Sequence, residues 1–195
     1  PASIFSLALE SFSVKAVPLD ALSERIRELS RLFKFEFLFR SESEFENVVR
    51  EALDDLKAEG AVEEENGFVI KIPGEEEKLS LFCAIIEHFA ESYWLAAHCL
   101  PMLLEEPLAQ KDFLARMLNT GDRLFARGEI EFYESLNRDA FKNALLAFAD
   151  RRVLEAKPLE GRKGPLIKLL SPYDKPEALE DLAAMIQRYR ITKQA

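Results

Sequence analysis

The chain has 195 residues, 48% of them apolar, which is enough to enclose one large or two small hydrophobic cores and too many for a disordered chain. A net charge of −9 and a pI near 5.0 exclude a nucleic-acid binder driven by phosphate contacts, because counterion release needs clustered Lys and Arg. The charge is uneven: residues 1–137 hold 14 Lys and Arg against 27 Asp and Glu, whereas residues 138–195 hold 12 against 8, so the C-terminal third is locally basic.

In chain order, Ala2 to Phe12 places Ile4, Phe5, Ala8, Leu9 and Phe12 near one helical face, and Val17-Pro18 breaks the pattern. Asp20 is suited to cap a second helix, whose Leu22, Ile26, Leu29, Leu32 and Phe33 form one stripe. Phe35 to Phe39 is short, aromatic and apolar, which predicts a buried strand. Ser43 and Glu46 make a Ser-x-x-Glu capping box for a third helix, with Phe45, Val48, Val49, Ala52, Leu53 and Leu56 facing a core until Gly60. Asn66-Gly67 is a type I′ turn signal joining Ala61-Val62 to Phe68–Ile72. Helices follow from about Glu75 to Leu104 and from Leu108 to Arg127, and Asp174, Pro176 and Glu177 start a terminal helix through about Tyr189.

An internal repeat runs at a constant offset of 92 positions: Leu32-Phe33 meets Leu124-Phe125, Val49 meets Phe141, Ala52-Leu53 meets Ala144-Leu145, Leu56 meets Phe148 and Val62 meets Leu154. The second copy reads as strand Glu129–Phe132, helix Arg138–Asp150, strand Val153–Ala156, a wing tip at Gly161-Arg162-Lys163-Gly164 and strand Leu166–Leu170. The expected fold class is mainly α with small β hairpins: a winged-helix-like unit over residues 1–73, a helical middle segment over 74–127, and a second winged-helix-like unit with the terminal helix over 128–195. The segment Glu44–Glu59, which in a DNA-reading winged helix enters the groove, carries six carboxylates against Arg50 and Lys57, so a protein-packing role fits and DNA does not.

Candidate chemistry is sparse. His88 and Glu91 stand at i, i+3, a metal-ligand spacing, but no further His or Cys converges on them. His98 and Cys99 are adjacent and so point to different helical faces, which disfavours a nucleophile and base. Cys83 and Cys99, if on one helix, are about 24 Å apart and read as buried thiols of a reducing compartment. There is no Gly-rich phosphate loop and no Gly-x-Ser-x-Gly elbow, so no cofactor is expected. The stripe Phe82, Ile85, Ile86, Phe89, Tyr93, Trp94 and Ala97 reads as core in preference to an acyl-chain or bilayer contact. Arg151, Arg152, Arg162, Lys163 and Lys168, with Lys157 beside them, line the second hairpin and form a candidate contact for anionic lipid, against the simpler reading of a solvated wing. The chain opens Pro1-Ala2-Ser3 without Met or a basic leader, which suggests a piece of something longer and no secretory signal.

Three stretches together resemble the C-terminal region of bacterial and mitochondrial-type glycerol-3-phosphate acyltransferases. They are Leu32–Phe39 leading into Phe45–Val62, the run His88-Phe89-Ala90-Glu91-Ser92-Tyr93-Trp94, and Gly128–Asp139 continuing to Asn143-Ala144-Leu145. Members of that family acylate the first hydroxyl of glycerol 3-phosphate with a His and an Asp five residues later. Here Tyr93 follows His88 at that distance and Leu103 follows His98, so the resemblance carries over no catalytic residue. It implies a non-catalytic C-terminal domain of a phospholipid-synthesising acyltransferase, partnered by an upstream catalytic domain, cytoplasmic and peripheral to the inner face of a membrane. The competing reading is a stand-alone tandem winged-helix adaptor for protein partners.

Overall fold

The computed structural model describes residues 1–37, 45–158 and 164–190. Among these residues the protein is mainly helical, with eight α-helices and two three-stranded antiparallel sheets. It divides into two compact units: Pro1–Glu87 together with Tyr189 and Arg190, and His88–Arg188.

The first unit runs α1 (Ala2–Glu10), β1 (Ala16–Pro18), α2 (Leu19–Leu32), α3 (Phe45–Ala58), β2 (Val62–Glu65), β3 (Phe68–Lys71) and α4 (Glu76–Ala84). Helix α1 buries six successive residues, Ile4 to Leu9, and touches α2, α3 and α4. A helix apolar all round is a central helix, and the polar residues of α2 and α3 are pushed to their outer faces. Leu22, Ile26, Leu29 and Leu32 of α2 are buried as their spacing predicts, and so are Val49, Ala52, Leu53 and Leu56 of α3. Phe45 and Val48, also expected in the core, are half-buried. The sheet order is β1-β3-β2, with Val17 opposite Val69 and Val62 opposite Lys71. Asn66 (φ 51°) and Gly67 (φ 80°) both take the left-handed conformations that a type I′ turn needs.

Two local expectations fail here. Phe35 to Phe37 are not a strand: they belong to a turn in which Glu36 and Phe37 donate their N–H groups back to the Phe33 carbonyl at 2.9 and 3.2 Å. Leu38 and Phe39 lie outside the described residues, as does Ser43 of the capping box. The third strand is supplied instead by Ala16–Pro18, too short to show alternation, and placed at a sheet edge where a proline without an N–H is tolerated. Asp20 is not the cap of α2. Pro18 occupies that position, and the first helical N–H, on Leu19, donates to the Gly67 carbonyl at 2.9 Å.

The second unit takes up α5 (Glu87–Cys99) from His88 and continues through a 3-10 turn at Leu100–Leu103, β4 (Leu108–Ala109), α6 (Gln110–Ala126), α7 (Arg138–Asp150), β5 (Leu154–Pro158), β6 (Pro165–Leu169) and α8 (Pro176–Gln187), with sheet order β4-β6-β5. The expected helix over 75–104 is two helices, α4 and α5, parted at Ile85-Ile86 without a Gly or Pro to mark the break, and Pro101 tightens its end into the 3-10 turn. The expected strand Glu129–Phe132 does not form. Two of its amides are claimed by a side chain, as described below, and that of Glu129 donates to the Leu124 carbonyl. Helix α7 matches its predicted bounds and is capped by Asn137, whose side chain accepts from the N–H groups of Asp139 and Ala140. Gly161, Arg162 and Lys163 of the wing tip lie outside the described residues.

The repeat is visible element by element. At the offset of 92, β1 falls on β4, α2 on α6, α3 on α7 and β2 on β5. The turn after the third helix is reproduced bond for bond: Glu59, Gly60 and Ala61 donate to Asp55, Lys57 and Leu56, and Arg151, Arg152 and Val153 donate to Ala147, Ala149 and Phe148. Gly60 has φ 69° and its counterpart Arg152 has φ 56°, so the backbone path is kept even where glycine is not.

Candidate functional site

The best-built polar cluster lies in the second unit, on α5. Glu91 faces inward and is 3% exposed, a position where a carboxylate must be hydrogen-bonded to be tolerated. It accepts from the Glu131 N–H at 2.8 Å, the Phe132 N–H at 2.9 Å and the Ser135 hydroxyl at 2.8 Å. The neighbouring Ser92 hydroxyl sits 2.7 Å from the Ser135 carbonyl and 2.9 Å from the His88 carbonyl, so its single proton is shared between the loop and its own helix. These contacts explain the failed strand: the amides that a ladder would use are held by Glu91. Residues 129–135 are a segment strapped to a helix.

The strap shapes what surrounds it. Gly121 of α6 is buried, and a Cβ there would stand 2.2 Å from Leu136 Cδ2 and 2.8 Å from Leu95 Cδ2, so the missing side chain lets loop and helix approach. Outside, Phe125 and Tyr133 meet edge to face at 5.2 Å and are 38% and 61% exposed. His88 is half-buried against Phe89, and burial lowers its pKa while the Glu134 charge opposes the shift.

The chemistry available to these groups is limited. Among the described residues no group of three or more His, Cys, Asp or Glu converges on a metal position, and Glu91 is committed to the strap. Both thiols are buried and unpaired with one another; burial pushes Cys83 well up and Cys99 up to about 12, so neither is a thiolate nucleophile. Ile86, Tyr93 and Ala97 of the aromatic stripe are core, with Tyr93 edge-on to Phe148 at 6.4 Å, while Phe82, Phe89 and Trp94 are half-buried and Ile85 is exposed.

Of the basic residues, Arg151, Arg152 and Lys168 fall within the described residues. Arg151 and Arg152 stand at the corner between α7 and β5, half-buried and exposed respectively, and Lys168 is exposed on β6 directly opposite Glu155 in the sheet register. Glu155 also pairs with Lys157 at 2.8 Å, which partly neutralises that face. Arg162 and Lys163 lie outside the described residues.

The model of the family described as the glycerol-3-phosphate acyltransferase C-terminal region matches residues 1–157. The chain belongs to that family. A comparison with curated proteins finds no match. The family match takes in α1 to α7 and both halves of the strap, and places the chain with proteins of glycerolipid acylation and phospholipid synthesis. Two of the runs that carry the resemblance, His88–Trp94 and Gly128–Asp139, meet through Glu91, Ser92 and Ser135. Sequence reading missed this strap. Its only trace was the pair of polar residues Glu91 and Ser92 inside an apolar helix, and nothing in the sequence says which distant amides they hold.

Proposed function

We propose that this acyltransferase C-terminal region is a non-catalytic domain that braces the catalytic domain of a membrane-associated glycerol-3-phosphate O-acyltransferase, with its second hairpin directed at anionic lipid. One observation carries the reading: the family match spans residues 1–157, yet neither histidine of the chain is followed by Asp at the fifth position. A base without an orienting carboxylate is poorly placed to take a proton from glycerol 3-phosphate. A winged-helix reading of each unit is supported by the sheet orders β1-β3-β2 and β4-β6-β5, in which the strand before the second helix joins the hairpin's last strand. Peripheral contact, as opposed to insertion, agrees with the finding that no described helix is long and apolar enough to cross a membrane.

Two measurements test this proposal. The isolated chain, given glycerol 3-phosphate and an acyl thioester, turns over neither, and it associates with a separately purified family catalytic domain. Turnover by the isolated chain defeats the non-catalytic assignment. In co-sedimentation with vesicles rich in anionic lipid, neutralising Arg151, Arg152, Arg162, Lys163 and Lys168 to Gln weakens binding, each basic group near such a surface being worth about 1 kcal/mol. Unchanged sedimentation leaves a solvated wing and removes the membrane contact.

A further inference from the structure

Between α2 and α3 of the first unit lies an open cleft of about 520 Å³. Its floor is apolar, formed by Leu19, Phe45, Val49 and Leu53, and its lining residues on each helix span eight positions, about 12 Å or two helical turns. Asp20, Glu24 and Glu46 stand on the rim, and among the described residues none of the three has an ion-pair partner. The two cations of the rim are engaged: the Arg27 guanidinium lies 4.6 Å from the centre of the Phe45 ring, and Arg50 is held by both carboxylate oxygens of Glu64 at 2.9 and 3.0 Å. Arg27 keeps its charge in that contact, so the described rim sets three carboxylates against one uncompensated cation and is negative on balance.

The repeat supplies an internal comparison. At the offset of 92, Leu19 becomes Lys111, Glu24 becomes Arg116 and Glu46 becomes Arg138, whereas Leu53 stays Leu145 and Asp20 stays Asp112. One backbone frame therefore carries an acidic rim in its first copy and a basic rim in its second. The leucine is buried in both copies, as Leu53 and as Leu145, so the helix pairing does not require the acidic residues, and their clustering over an apolar floor is available for recognition.

We propose that the α2–α3 cleft docks a cationic amphipathic helix of a protein partner, whose apolar side chains enter between Phe45 and Leu53 while Lys or Arg residues face Asp20, Glu24 and Glu46. The groove is long enough for two turns of such a helix, and the helix-in-groove mode uses apolar anchors spaced three and four residues apart with charges along the border. Charge complementarity selects this occupant over an acidic helix or an anionic membrane, both of which the rim repels.

The full chain, labelled for resonance assignment, is titrated with a 14-residue helical peptide of Leu and Lys arranged amphipathically, and with a second peptide of the same composition in scrambled order. The amphipathic peptide is expected to bind at least tenfold more tightly, to shift the resonances of Asp20, Glu24, Glu46 and Val49, and to lose at least tenfold in affinity against the Glu24→Arg, Glu46→Arg double variant. That variant borrows the residues that the second copy carries at the same positions, and circular dichroism checks that it folds. A Leu and Glu peptide of the same pattern should then prefer the variant. Equal binding of the two Lys peptides, shifts confined to another face, or spermine displacing the peptide at matched charge would overturn the proposal; the last would leave a polyamine site.

Discussion

Glu91 and Ser135 are joined by a 2.8 Å hydrogen bond across 44 residues of sequence, and both are buried. Replacing Glu91 by Ala strands that hydroxyl and the Glu131 and Phe132 amides together. Since hydrogen bonds to a charged group contribute about 1.5–3 kcal/mol each and are not additive, the expected loss is about 3 kcal/mol in urea unfolding. Glu91→Gln keeps one acceptor oxygen and should lose less. A Glu91→Ala variant within 0.5 kcal/mol of the parent would show that the strap is dispensable.

Gly121→Ala forces a Cβ into the space of Leu136 and Leu95. Overpacking of this kind costs about 1–3 kcal/mol. Because the nearer obstacle is the end of the Leu136 side chain, adding Leu136→Ala should recover part of that cost, and a double-mutant cycle should show a coupling of about 0.5–3 kcal/mol. Strict additivity would place the strain elsewhere.

Arg152 occupies the left-handed conformation that Gly60 occupies in the other copy, with matching hydrogen bonds around it. A side chain there is disfavoured by roughly 1 kcal/mol relative to glycine. Arg152→Gly should therefore raise the unfolding midpoint and Gly60→Arg should lower it. The added Cβ at Gly60 would meet only Lys78 Nζ, at 3.6 Å, so the cost is conformational and not steric. Two shifts of the same sign would refute the equivalence.

His88 has a folded-state pKa below its ordinary value of about 6.5, chiefly through burial. The unfolded chain then binds the proton more readily than the folded one. Its stabilising contribution is complete above pH 6.5 and is lost as pH falls from there through the lower folded value. Stability profiles of the parent and of His88→Gln should diverge in that window, the variant falling less. Parallel profiles between pH 7 and 5 would assign the acid sensitivity to carboxylates alone.

Much of the architecture is legible in the sequence. The periodicities of α2, α3 and α7 and the Asn66-Gly67 hairpin rest on local spacing, which reports short-range structure, and the 92-residue repeat shows because the same local pattern occurs twice. The family membership was legible for the same reason, since it is carried by runs of residues. What tertiary structure alone decided involves partners far apart in sequence. Ala16–Pro18 becomes a strand because β3 lies beside it, and Glu129–Phe132 stays out of a ladder with Glu91 holding the Glu131 and Phe132 amides and the Leu124 carbonyl accepting from that of Glu129. The acidic rim of the α2–α3 cleft was likewise visible as separate charges on two helices. Its meaning as a surface arises when the α2–α3 packing sets Asp20, Glu24 and Glu46 around one apolar floor, and no periodicity within either helix contains that distance.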